Sequence, residues 1–216
     1  MSTLTVCGSA GSYPGRGRAC SSYLLADGPA LLLLDIGSGS LANLQRWVSL
    51  QSITDIFVSH DHLDHMADLI GLLQFTSFSP DRQDRLRVWA HPDTCQTLRA
   101  LQRQFAPSDP SLELRPVEPG QDYELAGGQR FRVMPAVHSR PAYSIRVTDS
   151  RGQVIAYTGD TSLCDSVIEC AKDADLLIAE ASWPEPREDY PLGVHMTGEE
   201  VGELAQRANA RRLLVT

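Results

Sequence analysis

Three histidines and two aspartates stand within six positions, His60–His65, directly after an apolar run at 56–58. Imidazole nitrogen and carboxylate oxygen are the ligands that zinc and similar divalent metals take in proteins. His60 and His62 are two positions apart, so in an extended loop they project to the same side. Asp64 and His65 follow where the chain bends toward a helix, and they can point at a second locus. We therefore predict that this short loop serves two metal ions.

Other polar side chains follow apolar strands in the same way. His138 comes after the run 131–137, Asp160 after 153–158 and Glu180 after 175–179. Side chains at neighbouring strand ends meet along one edge of an α/β sheet, which is where such folds place their chemistry. The four strand ends that carry His60, His138, Asp160 and Glu180 are thus expected to converge.

The elements that must position these side chains alternate between apolar strands and amphipathic helices, which predicts an α/β fold. Strands are expected at 4–7, 21–25, 30–35, 55–59, 86–90, 112–117, 121–125, 130–137, 142–148, 153–158, 175–179 and 212–216. Helices are expected at 41–50, 66–73, 94–105, 162–171 and 197–208, the last opened by a capping box from Thr197 to Glu200. Trp47 should lie in the core, and His91 should have a structural role at a helix start. No repeat or linker interrupts the pattern, so we predict one domain, residues 1–216.

Composition narrows the class of protein. With 216 residues, 42% of them hydrophobic, the chain can bury a sizeable core, and a net charge of −8 argues against a general affinity for nucleic acid. The five cysteines are odd in number and form no CxxC pair, which favours free thiols in a reducing cytoplasm. We expect no signal peptide, and the longest apolar run, Ala30–Leu34, is too short to span a membrane.

The pattern His-x-His-x-Asp-His after a hydrophobic strand resembles the signature of the metallo-β-lactamase superfamily. The resemblance implies a four-layer αβ/βα sandwich that binds one or two metals at the sheet edges. Asp35-Ile36-Gly37 resembles the strand-ending Asp-x-Gly of the same family. There, Asp35 would lie beneath the metal loop and accept a hydrogen bond from an imidazole N–H or from a backbone turn.

Several later segments resemble the RNase Z-like branch: the strand with Pro141 after His138, Tyr157–Thr161, Ile178–Ser182 and His195–Thr197. This resemblance implies two divalent ions, zinc with manganese or iron as alternatives, and a hydroxide between them that attacks the substrate. The implied ligands are His60, His62 and His138 for one ion, Asp64 and His65 for the other, and a bridging Asp160. The implied catalytic residues are Asp64, Glu180 and His195, with the Glu180–His195 pair protonating the leaving oxygen.

The sequence departs from this branch in two places. Only 22 positions separate His138 from Asp160, which leaves no room for the long arm by which tRNA-maturing members grip their substrate. We therefore expect a compact, homodimeric phosphodiesterase with a small phosphodiester substrate, such as a cyclic nucleotide. Relatives also continue past Thr216 with a further His ligand, so either the given chain is truncated or the second metal site is incomplete.

Alternative functions remain open at this point. They are an RNase Z-like ribonuclease, a hydrolase of esters, thioesters or lactones, and a metal-binding module left inactive by the missing ligand. Substrate contacts are expected from Trp183 and Tyr190, whose rings could stack on a nucleobase, although Trp183 could equally pack on the sheet edge or in a dimer contact. Arg16 and Arg18 lie in a glycine-rich loop that either binds a phosphate or is a surface connection.

Overall fold

This computed structural model describes residues 2–78, 85–106, 112–183, 191 and 193–216. The chain forms two compact units. The first runs to Val117 and also contains Leu125–Gly127, while the second contains Glu118–Glu124 and the residues from Gly128 onward. Each unit is built on one six-stranded sheet. The grouping of both units into one domain stays a prediction.

The first sheet contains β1 to β6 in sequence order: Thr3–Gly8, Ser22–Asp27, Ala30–Leu34, Asp55–Val58, Leu86–Ala90 and Leu112–Pro116. The pairs β1–β2 and β2–β3 are antiparallel, and the pairs from β3 to β6 are parallel. Parallel neighbours need a crossover connection. The crossovers here contain α1 to α4: Ser40–Leu44, Leu63–Met66, Leu69–Ser77 and Pro92–Phe105. Strand β3, expected to be central, is buried along its whole length between β2 and β4.

An aliphatic cluster joins the helices of the first unit to one face of its sheet. It includes Leu33 and Val58 from the strands and Leu44, Leu69 and Leu98 from the helices. Burying apolar surface stabilises a fold by about 25 cal/mol per Å². This packing fixes the end of β4, and so the start of the predicted metal loop, against three helices.

The second sheet contains β7 to β12: Tyr123–Glu124, Arg130–Pro135, Tyr143–Thr148, Val154–Tyr157, Leu176–Ala179 and Leu213–Val215. β7 to β10 form an antiparallel meander, and β11 and β12 then add in parallel beyond β10. The parallel crossovers contain α5, Asp165–Ala171, and α6, Gly198–Arg207. Ala156 and Leu177 from the sheet pack with Val167 and Leu204 from these helices. Within the described ranges, every helix is too short or too polar to cross a bilayer.

The expected capping box opens α6. The Thr197 hydroxyl accepts from the backbone N–H of Glu200 at 3.2 Å, and the Glu200 carboxylate accepts from the backbone N–H of Thr197 at 2.8 Å. His91 has the structural role expected of it, because its Nδ1 accepts from the N–H of Asp93 at 3.1 Å and caps α4. In α4 and α6 the capping side chain therefore accepts from an N–H group that the helix itself leaves unpaired.

The prediction that Trp47 lies in the core is wrong. Helix α1 ends at Leu44, and Trp47 is 66% exposed. The amides of Arg46 and Trp47 bond to carbonyls three residues back, at 3.1 and 3.0 Å, rather than four. The tighter turn has three residues per turn instead of 3.6, so it rotates Trp47 away from the apolar stripe that the helical spacing suggested.

The single helix expected after the metal loop is instead two, α2 and α3. Asp68 stands at the break between them. Its backbone N–H donates to the carbonyl of Ile36 at 3.1 Å, and its carboxylate accepts from the N–H of Leu41 at 2.8 Å. These bonds anchor the break to the segment that follows β3, which brings Asp35 beneath the loop.

Candidate metal centre

The predicted metal loop begins where β4 ends. His60 is fully buried, and His62 adopts an extended backbone as the residue before α2, while Asp64 and His65 lie in the first turn of that helix. The change from extended chain to helix separates the four side chains into two pairs. His60 and His62 belong to the extended part, and Asp64 and His65 belong to the helical part.

Asp35 lies under the loop and holds it with both carboxylate oxygens. One oxygen accepts from the backbone N–H of Ser59 at 2.7 Å. The other lies 2.8 Å from the Ser59 hydroxyl and 2.6 Å from Nδ1 of His65. Because a carboxylate accepts, the His65 proton is on Nδ1, which leaves Nε2 unprotonated and able to accept a metal. Asp35 thus occupies the place that the family resemblance implied for it.

Ser59 sets the tautomer of His60. Its hydroxyl has one hydrogen, which it donates to Asp35, so it can only accept from Nδ1 of His60 at 3.0 Å. His60 therefore also presents an unprotonated Nε2. That nitrogen lies 2.9 Å from Nδ1 of His62, near the separation of about 3.3 Å between two nitrogens on a tetrahedral zinc. The imidazoles of this loop fit a divalent metal.

Asp64 is held from the glycine-rich loop. The backbone N–H of Ser12, at a positive φ of 59°, donates to one Asp64 carboxylate oxygen at 2.6 Å. The same oxygen lies 3.7 Å from Nε2 of His65. Gly37 allows the close approach of this turn, because a Cβ there would stand 1.9 Å from the Asp64 carbonyl oxygen.

Cysteine does not complete this ligand set. Cys20 is buried close to the loop, and burial together with the negative charge of Asp64 raises the pKa of its thiol. Among the described residues, the groups of side chains close enough to hold a metal contain histidine and carboxylate residues and no cysteine. Their donors are nitrogen and oxygen, which zinc, manganese and iron accept.

In the second unit, His138 follows β8. Its Nδ1 lies 2.8 Å from the carbonyl oxygen of Val194, which can only accept. The proton is therefore on Nδ1, which leaves Nε2 unprotonated, as in His60 and His65. The His138 ring also meets the His195 ring edge to face, with centroids 5.1 Å apart.

Glu180 follows β11 and orients His195. One Glu180 oxygen accepts from the backbone N–H of Thr161 at 2.9 Å and from Nδ1 of His195 at 2.9 Å. The other accepts from the backbone N–H of Ser182 at 3.0 Å and from its hydroxyl at 2.6 Å. Four donors surround one buried carboxylate, which requires its charged, accepting form. His195 is thereby fixed with Nδ1 toward Glu180 and Nε2 on the other side of the ring.

Asp160 follows β10 and lies beside this pair, with one oxygen 3.8 Å from Nδ1 of His195. Asp160, Glu180 and His195 each offer a ligand atom within 4.8 Å of the others. This trio alone is a poor metal site, because both oxygens of Glu180 already accept from N–H and O–H donors.

Only some of the residues predicted to contact the substrate lie near the candidate site. The Trp183 and His195 rings are perpendicular, with the edge of one ring against the face of the other and centroids 5.0 Å apart. The Trp183 backbone N–H also donates to the carbonyl of Met196 at 3.1 Å. Trp183 is therefore in contact with the predicted proton donor. Arg16 and Arg18 are exposed in the glycine-rich loop. Tyr190 lies outside the described residues.

Four residues that support the site were not predicted from the sequence: Ser12, Ser59, Thr161 and Ser182. Ser12 and Thr161 act through a backbone N–H, which any residue but proline carries, so residue type gave no signal. Ser59 and Ser182 also act through their hydroxyl groups. A hydroxyl directly before His60 could have been proposed as a partner of its ring, and one two positions after Glu180 as a partner of its carboxylate.

Comparison with known proteins agrees with this arrangement. The Beta-lactamase superfamily domain matches residues 32–216. The probable metallo-hydrolase YhfI of Bacillus subtilis is 33% identical over 217 residues, which cover 99% of this chain and 85% of that protein. Ribonuclease Z of Methanosarcina acetivorans is 28% identical over 266 residues, which cover 100% of this chain and 87% of the enzyme.

Solved structures show the same fold. The crystal structure of YhfI, a metallo-beta-lactamase fold protein, matches with a TM-score of 0.88 and 30% identity, over 100% of this chain and 85% of that one. A diphosphatase from the PhnP family matches with a TM-score of 0.77 and 22% identity, over 100% of this chain and 86% of that one. The predicted fold class, an α/β fold of the metallo-β-lactamase type, is confirmed: the chain has two mixed six-stranded sheets and matches the fold of YhfI. The chain belongs to the metallo-β-lactamase superfamily and is related to YhfI and to ribonuclease Z.

Proposed function

We propose that the chain is a metallo-hydrolase that cleaves small phosphodiesters. It would use two divalent metal ions. The residues that would hold them are those implied by the family resemblance: His60, His62, Asp64, His65, His138 and Asp160. Membership of the superfamily supports this assignment, as do the Nε2 nitrogens that His60, His65 and His138 present.

The observation that carries the proposal is the bond of 2.9 Å between His195 Nδ1 and the buried Glu180 carboxylate. A carboxylate partner stabilises the protonated imidazole and aims its Nε2–H in one direction. His195 can then give that proton to the oxygen that leaves phosphorus. The amides of Thr161 and Ser182 keep Glu180 in place while the charge on His195 changes.

Bound divalent metals would lower the pKa of water to near neutrality and offset negative charge on the phosphoryl oxygens. Zinc suits the nitrogen and oxygen donors, and manganese or iron are acceptable to the same set. Asp35 and Ser59 contribute by fixing the imidazoles before any metal arrives, so little ordering cost remains at binding.

A cyclic nucleotide is the proposed substrate type. The interval between His138 and Asp160 is occupied by the β9–β10 hairpin, and the chain carries a net charge of −8. Both features disfavour a grip on a long RNA, which needs positive charge along the backbone. Relationship to ribonuclease Z and the fold shared with a PhnP-family diphosphatase support chemistry at phosphorus.

Two variants test the proposal. His62→Ala is expected to lose bound metal and activity together, because it removes a ligand. His195→Ala is expected to keep its metal and to lose on the order of 10²–10⁴ in turnover, because it removes a proton donor. Metal content by mass spectrometry and turnover of 3′,5′-cyclic AMP and bis(p-nitrophenyl) phosphate are the measurements.

The alternatives give different results. Turnover of p-nitrophenyl acetate or a thioester, without any of the phosphodiesters, would replace the proposal with an ester hydrolase. Metal binding without turnover of any substrate would indicate a metal-binding module. If His195→Ala kept full turnover, the proton-donor role of His195 would be wrong.

A further inference from the structure

A groove of about 340 Å³ on the second unit is lined by charged and polar side chains that the proposed chemistry does not use. They come from β8, from β9 and from the residue before β7: the charged Asp122, Arg130, Arg132 and Arg146 and the neutral Thr148, with Phe131 beside them. The volume falls in the range of about 300–1,000 Å³ that is typical of small-molecule sites. Three arginines against one aspartate give this groove a local charge of +2 on a chain whose net charge is −8.

Two of the arginines face each other across the sheet. Arg132 on β8 is directly opposite Arg146 on β9, and Arg130 is directly opposite Thr148. Like charges opposite one another on a sheet are destabilising unless other groups offset them. An anion bound between the two arginines would provide such an offset.

Two of the arginines are partly offset by local partners. Arg132 forms a two-pronged ion pair with Asp122, one contact of which is 2.8 Å long. Arg146 donates through Nη1 to the carbonyls of Cys170 and Lys172, at 3.1 and 2.6 Å, at the end of α5. These carbonyls use one nitrogen of the Arg146 guanidinium, which has five N–H donors in all.

We propose that this groove binds a phosphate-bearing anion no larger than a mononucleotide. Guanidinium groups match phosphate oxygens in pairs, and they do so more strongly than neutral donors. Arg130 and Arg132 project from one strand, Arg146 and Thr148 from its neighbour, so an anion in the groove meets donors from both sides. Asp122 is the resident counterion that the ligand displaces.

Asp122 stays charged and therefore competes with the ligand. Its hydrogen bond with Arg132 lowers the pKa of its carboxyl, and both side chains are more than half exposed. An ion pair this exposed is held weakly, so it opens at little cost.

The groove is separate from the proposed catalytic residues of the same unit. Arg132, the groove residue of β8 nearest to its end, stands three residues before Pro135, about 10 Å along the strand, and His138 comes only after that end. Binding in the groove is therefore independent of the proposed function and can be measured whether or not the chain cleaves phosphodiesters.

Calorimetric titration of the metal-loaded protein tests the inference, with pyrophosphate and AMP as probes. The variant Arg130→Gln/Arg132→Gln is expected to bind at least one probe about 10-fold more weakly than the unaltered chain, because charge-assisted hydrogen bonds are lost. The matched control is Arg99→Gln/Arg103→Gln on the exposed face of α4, which removes the same charge and should bind normally. Both probes can also occupy the metals, and that binding is common to all the variants.

The variant Asp122→Asn gives a second test, because misfolding could not make binding tighter. Removing the competing carboxylate should tighten binding by several-fold, opposite to the effect of the arginine variant. If the groove variant and the α4 variant lost affinity equally, net charge alone would explain the effect and the inference would be overturned. Unchanged binding in the groove variant, or weaker binding in Asp122→Asn, would overturn it as well.

Discussion

Replacing Glu180 by glutamine isolates the effect of the buried carboxylate on His195. Glutamine has the same shape, but its amide nitrogen donates where an oxygen accepted. If the amide nitrogen pointed toward Thr161 and His195, it would face the Thr161 N–H and force His195 to change its tautomer. If the amide were flipped, the nitrogen would face the N–H of Ser182. Either orientation leaves one buried N–H without an acceptor.

This substitution should change both the free energy of unfolding and the turnover. One unpaired buried donor costs about 1–3 kcal/mol of the free energy of unfolding. Turnover should fall by on the order of 10²–10⁴, because a neutral amide does not stabilise the protonated ring of His195 as the carboxylate does. Metal content should stay the same, because Glu180 is assigned to His195 and not to a metal.

Urea unfolding, turnover of bis(p-nitrophenyl) phosphate and metal content check these three expectations. Glu203→Gln is the matched control, since Glu203 is 50% exposed and bonds to Arg207 one helical turn away at 3.0 Å. That pair contributes only about 0.3–0.5 kcal/mol, so the control should be nearly silent. If Glu180→Gln lost its metal as completely as His62→Ala, Glu180 would be a ligand and our reasoning would be refuted.

Two further predictions concern stability. Gly37→Ala should lower the free energy of unfolding in urea by about 3 kcal/mol and lower metal content, because its Cβ would stand 1.9 Å from the Asp64 carbonyl oxygen. The control is Gly202→Ala on α6, where a Cβ meets nothing within 4 Å. This variant should instead gain about 0.5–1 kcal/mol. Burial raises the pKa of Cys7 and Cys95 to about 11, above the unfolded value near 9. The stability that these neutral thiols contribute is therefore complete below pH ~9 and is lost as the pH rises through ~11. The urea midpoint should fall across that window, and less steeply in Cys95→Ala; equal slopes would contradict the assignment to the thiols.

The sequence was sufficient for the strands and for naming the candidate ligands, whose roles stay a prediction. Each strand is a short apolar run with a turn signal beside it, and His60, His138, Asp160 and Glu180 each follow such a run. Both signals are local, so periodicity and spacing carry them. The strand order within each sheet was not predicted; it follows the order in the chain, because hairpins and crossovers connect neighbours.

Helix boundaries were less predictable where a distant segment intervenes. The break between α2 and α3 depends on bonds from Asp68 to Ile36 and Leu41, about thirty residues earlier in the chain. Trp47 fitted an apolar helical stripe, yet a tighter turn after Leu44 exposes it. Local propensity gives way in both places to hydrogen bonds that only the assembled unit supplies.

The types of the site residues were determined by the sequence, whereas their protonation was decided by tertiary structure. Whether the proton of His138 is on Nδ1 depends on the carbonyl of Val194, which is 56 positions away. The orientation of Asp64 depends on the N–H of Ser12, 52 positions away. Backbone N–H and C=O groups are the same in nearly every residue, so no sequence pattern reveals which of them will face an imidazole or a carboxylate. Only the folded chain selects the partner, and with it the nitrogen that is left to bind a metal or to donate a proton.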